Sequence, residues 1–159
     1  RNVTGVQTCA LPIFDYAKSQ SYVDAERGVV MGQSFGGATA ASLAAKNISG
    51  VKGAVNFAGG GGGNPEAHPG RPCSESTLRQ LFVDYGKTAR TPMLWLYAEN
   101  DLFFGPQLPK AWFEAYRAAG GKGEFVALPA FGKDGHSSFT GNPDAWKTHV
   151  ERFLKSIGF

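Results

Sequence analysis

Two rhythms of hydrophobic positions alternate along the chain. Short apolar or β-branched runs at 27–31 (RGVVM), 51–58 (VKGAVNFA), 91–98 (TPMLWLYA) and 124–128 (EFVAL) are bounded by glycine, proline or polar residues. Their length and near-continuous apolar character predict strands buried on both faces. Between them the spacing lengthens to that of a helix. An alanine-rich segment at 38–46 is closed by Asn47 and Gly50, and 74–85 carries Ser74 as N-cap with Leu78, Leu81 and Phe82 on one side. Residues 106–119 gather Trp112, Phe113 and Tyr116 before Gly120-Gly121, and a last helix starts at Pro143 with Trp146, Val150, Phe153 and Leu154. Residues 14–20 are helix-compatible, and 21–26 form a polar connection. Parallel strands need crossovers of roughly a dozen residues, so this alternation predicts an α/β fold: a parallel sheet with helices on both faces. No repeat of 20–50 residues is present.

Composition narrows the class. The 159 residues fit one domain, and 42% hydrophobic content with 12 Phe and 3 Trp is that of a packed globule. The 16 basic residues are scattered among 13 acidic ones, for a net charge of +3, and no Lys/Arg run offers a track for phosphates; nucleic acid is not an expected partner. The longest apolar stretch, Met93 to Ala98, falls far short of the roughly 20 residues of a membrane span. Cys9 and Cys73 fit neither a disulfide framework nor a CxxC metal site.

Residues 3–13 (VTGVQTCALPI) resemble the conceptual translation of a common sequencing-adapter oligonucleotide, of the kind found at the edges of metagenomic reading frames. The expectation is that 1–13 are non-native and that 14–159 are the C-terminal portion of a single α/β domain whose first strands are missing. Cys73 is then the one native cysteine. The residues carry no signal for compartment, cytoplasmic or exported, or for subunit number.

Three short segments carry chemistry. Gly32-Gln33-Ser34-Phe35-Gly36 lies between a predicted strand and a predicted helix, the setting in which a serine is thrust out at the carboxyl edge of a sheet. Asp101 follows the strongest strand in Ala98-Glu99-Asn100-Asp101, at the same edge, with Glu99 its competitor. His136 lies in a polar loop after the last strand, whereas His68 precedes the acid and His149 falls within an amphipathic helix. Only His136 completes the chain order Ser, Asp, His. A serine hydroxyl is a weak nucleophile until a histidine takes its proton and a carboxylate holds that histidine in the right tautomer, so Ser34, His136 and Asp101 are the expected nucleophile, base and acid. The Phe35 backbone N–H is an expected oxyanion donor, with a second from a loop after an early strand. Gln33, Phe103 and Phe104 are expected to line a substrate pocket. The run Gly59 to Gly63 lacks the GK[ST] of a phosphate-binding loop and reads as a flexible rim loop.

GQSFGG, LWLYAEND and GKDGHSSF together resemble the dienelactone hydrolase branch of the α/β-hydrolase superfamily, from about Phe14 to the C-terminus. The resemblance implies hydrolysis of a small carboxylic ester or lactone without cofactor or metal. Its motifs carry over as Ser34 nucleophile, Asp101 acid and His136 base. The namesake enzymes use a cysteine where this chain has Ser34, so what is implied is a serine esterase rather than an enzyme for dienelactone. The alternatives are a peptidase or acyltransferase on the same triad, or an inactive fragment serving as a binding module.

Overall fold

A computed structural model describes residues 3–159, with side chains from residue 10 onward; Arg1, Asn2 and the side chain of Cys9 lie outside the described residues. The elements run α1 (Val3–Lys18), β1 (Gly28–Gln33), α2 (Phe35–Ala45), β2 (Val51–Phe57), α3 (Glu75–Thr88), β3 (Met93–Ala98), α4 (Gln107–Ala118), β4 (Gly123–Leu128), a 3-10 turn (Gly135–Ser137), α5 (Ser138–Gly141) and α6 (Pro143–Ser156). All three strand pairings are parallel, in the order β1-β2-β3-β4. Gln33 pairs with Phe57, Phe57 with Leu96, and Leu96 with Val126, so the carboxyl ends of all four strands form one edge.

The pleat of β3 divides the core. Met93, Trp95 and Tyr97 face one side, where they pack with Ala41 and Ala44 of α2, Phe82 of α3, and Trp112 and Tyr116 of α4. Leu94, Leu96 and Ala98 face the other, against Val55, Phe57 and Leu128 of the sheet and Val150 and Phe153 of α6. Successive side chains of a strand point to opposite faces, and in β3 both faces are covered, which is why its six residues are all apolar and buried. The Trp95 ring lies 4.8 Å from Phe82 and 5.5 Å from Tyr116, in a cluster of tilted rings that ties α3 and α4 to the middle of the sheet. Burial keeps the Tyr116 hydroxyl protonated by pushing its pKa up to about 12.

Two departures from the sequence pattern bear on function. β1 runs on through Gly32 and Gln33 and α2 starts at once with Phe35, so a single residue, Ser34, makes the turn. The segment expected to be a polar loop after β4 instead winds into the 3-10 turn that carries His136, followed by α5. Among the described residues no helix is long and apolar enough to cross a membrane.

Phe82 is fully buried and touches both Trp95 and Trp112. Phe82→Ala should therefore destabilise the chain by about 3–5 kcal/mol in urea denaturation, through lost burial and the cavity left behind. Tyr22→Ala, at an 83% exposed position, should stay within about 0.5 kcal/mol.

Candidate active site

Ser34 sits at φ 55°, ψ −120°, a left-handed backbone that costs a non-glycine residue about 1–3 kcal/mol and survives only where neighbours enforce it. They do so from three sides. The Ser34 N–H donates to the Phe57 carbonyl at 3.0 Å, and the Ser34 carbonyl accepts from Ala38 at 3.1 Å and Gly60 at 3.2 Å. Space is the other condition. A Cβ on Gly32 would lie 2.2 Å from the Gly36 carbonyl oxygen, and one on Gly37 would lie 2.4 Å from Asn56 Oδ1 and 2.7 Å from the Gly59 Cα. A Cβ on Gly36 would meet nothing within 4 Å, so of the glycines after the serine it is Gly37 that the packing requires. Ser34 makes no side-chain cap to α2, which leaves its hydroxyl free of that duty. The Phe35 N–H, in the first turn of α2, precedes the first intrahelical bond from Ala38 and points from a helix start.

At the end of β3 the chain places Asp101 in a buried turn. Its Oδ1 accepts the N–H groups of Phe103 at 2.8 Å and Phe104 at 3.1 Å, and its Oδ2 lies 2.9 Å from His136 Nδ1. Three donors around one carboxylate compensate its removal from water, since the Asp101 side chain has no solvent exposure. A carboxylate can only accept, so the contact places the Nδ1 proton towards Asp101 and leaves Nε2 as the ring nitrogen away from the acid. Glu99 is exposed, and its N–H pairs with the Leu128 carbonyl. Of the two carboxylates weighed from sequence, Asp101 is the one that meets His136.

His136 is held on several sides at once. The Phe103 ring lies 4.2 Å from the imidazole and the Phe104 ring 5.5 Å, edge-on. Its backbone N–H donates to Asp134 Oδ1 at 2.9 Å, and its carbonyl accepts from Gln33 Nε2 at 2.6 Å. Because Gln33 immediately precedes Ser34, this last bond joins the serine turn to the histidine turn.

The expected pocket residues divide. Phe104 is 1% exposed and wedged against Trp112 and Gly60, so it is part of the wall behind His136 and not a surface a substrate could touch. Gln33 spends its amide on the His136 carbonyl. Phe103 remains half-buried beside the imidazole. Phe35 is 44% exposed, with its ring over Gly61, and adds an apolar side chain next to Ser34 that the motif alone did not single out.

The run of glycines is packed, in contrast to the flexible loop expected of it. Gly59 and Gly60 are buried, and the backbone at Gly60, Gly61 and Gly63 lies against the rings of Phe104, Phe35 and Phe103. Tyr97 Oη donates to the Gly59 carbonyl at 2.6 Å and accepts from Asn56 Nδ2 at 3.2 Å. Burial pushes the Tyr97 pKa up, so the hydroxyl stays a donor.

Sequence reasoning passed over Asp134 and Asn100. Asp134 Oδ1 accepts from Leu102 N–H at 3.0 Å as well as from His136, and Asn100 exchanges bonds with the backbone of Phe131 at 2.9 Å and 3.2 Å. Together they lash the acid turn to the histidine turn. The available signal was an Asp two residues before the histidine, the spacing at which its side chain caps a turn. Among the described residues no cluster of three His, Cys, Asp or Glu side chains is placed to hold a metal ion.

Residues 6–157 match the profile of the Dienelactone hydrolase family. The chain belongs to that family. Solved structures carry the same fold at low identity: SOBER1 of Arabidopsis thaliana (TM-score 0.64, 19% identity, 98% of this chain and 64% of that one). Dipeptidyl peptidase 4 of Porphyromonas gingivalis is similar (TM-score 0.66, 17% identity, 95% and 22%), as is acylaminoacyl peptidase of Pyrococcus horikoshii (0.61, 14%, 90% and 25%). This member of the dienelactone hydrolase family thus spans less than two thirds of the length of SOBER1. No curated protein sequence matches it.

The glycine contacts give an unequal expectation for three positions of one motif. Gly32→Ala and Gly37→Ala should each lower thermal stability strongly or abolish folding, because backbone must move to admit the methyl group, whereas Gly36→Ala should be neutral or raise the melting temperature through helix propensity. Equal melting temperatures for the three variants would contradict the packing described.

Proposed function

We propose that the protein is a serine hydrolase that cleaves carboxylic esters or lactones through an acyl-enzyme. The observation that carries this reading is the 2.9 Å contact between buried Asp101 and His136 Nδ1, in a turn whose His136 carbonyl is bonded by Gln33, the residue before a serine on a strained strand-to-helix turn. Ser34 Oγ attacks the substrate carbonyl while His136 Nε2 takes its proton, and Asp101 offsets the positive charge that arises on the imidazole. The Phe35 N–H donates to the developing oxyanion. Collapse of the tetrahedral intermediate expels the alcohol, which takes the proton back from His136. In a lactone the expelled alcohol stays tethered to the acyl group. Water, deprotonated by the same imidazole, then attacks the acyl-serine and frees the acid. Every proton in this cycle moves through one imidazole, and the scheme invokes no cofactor.

Support for esters and lactones over other acyl compounds comes from the family. The peptidases named among the structural neighbours favour a second reading, amide cleavage on the same three residues. Both readings share the acyl-enzyme and differ in the leaving group, so one pair of assays separates them.

A fluorophosphonate probe should label the chain, and Ser34→Ala should remove the label; an unlabelled wild-type chain would leave only a binding role. Hydrolysis of p-nitrophenyl acetate is expected where an aminoacyl p-nitroanilide is untouched, and the reverse preference would favour the peptidase reading. Asp101→Asn should cut ester turnover by about 10⁴-fold, the scale seen when a triad histidine loses its tautomer partner. Glu99→Gln should leave turnover within about twofold, as expected of an exposed surface substitution.

A further inference from the structure

Gln33 and His136 lie 103 positions apart, yet the Gln33 amide donates to the His136 carbonyl at 2.6 Å in a partly buried setting. We propose that Gln33 is a positioning residue: its side chain fixes the histidine turn against the serine turn, so that nucleophile and base keep their spacing whether or not a substrate is bound. The consequence for turnover rests on the hydrolase reading above, while the tether itself does not.

The case rests on which groups of His136 are already committed. Asp101 holds Nδ1, Phe103 and Phe104 flank the ring, and Asp134 holds the backbone N–H. All four of those residues belong to the acid turn or to the histidine turn itself. They fix the base relative to the acid, and none of them reaches β1. Asp134 and Asn100 likewise cross-link only these two turns, through Leu102, Phe131 and Gly135. The Gln33 bond is the hydrogen bond that carries this assembly across to the serine. Its root is stiff, because Gln33 is the last residue of β1, paired with Phe57, and the next residue is pinned at φ 55°. A side chain of two methylenes and an amide spans the gap with its donor on the carbonyl. A bond of this kind pre-organises a reacting pair that would otherwise drift, and small misplacements of such pairs are costly.

Two substitutions keep the size of the side chain and remove the donor: Gln33→Met, and Gln33→Glu, which turns a carboxylate towards the carbonyl. The amides of Gly135, His136 and Ser137 all donate within the histidine turn or to Asn100, so their hydrogen exchange reports whether the turn is held. In both variants these three amides should exchange about tenfold faster, the factor that loss of one net hydrogen bond allows. The amides of β2 and β3 should keep wild-type protection, and if one variant loses protection throughout the sheet the other decides. In p-nitrophenyl acetate hydrolysis kcat should fall about tenfold with KM within about twofold, the pattern of an interaction that matters most in the transition state. Unchanged exchange at all three amides in a folded variant would overturn the tether. Faster exchange with unchanged kcat, in a chain that the fluorophosphonate labels, would overturn its role in positioning. A wild-type chain that neither labels nor hydrolyses ester defeats the hydrolase reading instead, and the exchange data still decide the tether.

Discussion

A carboxylate without solvent exposure is tolerable only when donors surround it, and at Asp101 that requirement organises the rest of the site. Two of its donors are the amides of Phe103 and Phe104, which forces the chain after β3 into a tight turn; the third is the imidazole of His136, which forces a segment some 35 residues later to return to the same point. Once that return is made, the aromatic side chains of the acid turn necessarily stand beside the imidazole. The ring is thereby packed against Phe103 and Phe104, with its side chain 12% exposed. Deleting the histidine would leave a buried charge short of a partner, so stability and the candidate chemistry are coupled through one bond.

The serine side obeys a different constraint, which is space. α2 approaches β2 so closely that Gly37 meets Asn56 and Gly59, and the rings of Phe35, Phe103 and Phe104 lie on the glycine backbone that follows β2. Aromatic bulk on one segment is matched by absence of side chains on the other. This explains why so flexible a composition is packed: a Cβ on Gly60 would fall 2.6 Å from the Phe104 ring and one on Gly61 3.0 Å from the Phe35 ring, Gly63 keeps an ordinary 3.4 Å contact with Phe103, and the segment is anchored by the Tyr97 hydroxyl at Gly59. Gly62 meets Cys73 instead, at φ 70°.

Much of this could be read from the chain before any coordinates. The strands were legible because burial on both faces leaves continuous apolar runs, and the edge location of Ser34, Asp101 and His136 followed from parallel topology with no further information. The helix from 143 to 156 and the strand from 93 to 98 carry periodicities too clear to misassign. What escaped were contacts between side chains and backbone. Asp134, Asn100 and Gln33 act through hydrogen bonds to amides and carbonyls that include those of remote segments, and neither hydropathy nor motif spacing encodes the remote partner of such a bond. Phe104 was misplaced for a related reason: an aromatic residue just past an acid can turn towards substrate or towards the core, and the choice depends on Trp112 and Gly60, which lie far off in sequence. The packed state of Gly59–Gly63 was invisible because composition reports freedom in the unfolded chain, whereas the rings that remove it come from elsewhere.

The structures that share this fold include dipeptidyl peptidase 4 and acylaminoacyl peptidase as well as SOBER1, so the fold by itself cannot choose a substrate. Local features must do so. Ester and amide cleavage demand the same attack by the serine, but they differ in the leaving group: an alkoxide departs with modest help, while an amine must be protonated by the imidazolium as the bond breaks. Both therefore need Nε2 aligned with the serine, and amide cleavage adds alignment with the leaving nitrogen. Among the described residues, Gln33 makes the one hydrogen bond from the serine turn to His136 and its turn, with the half-buried Phe103 and exposed Phe35 as nearby apolar surface. Under the proposed hydrolase reading, the rings of Phe103 and Phe35 suit a small apolar acyl group, whereas the backbone of a polypeptide would need polar partners along its length.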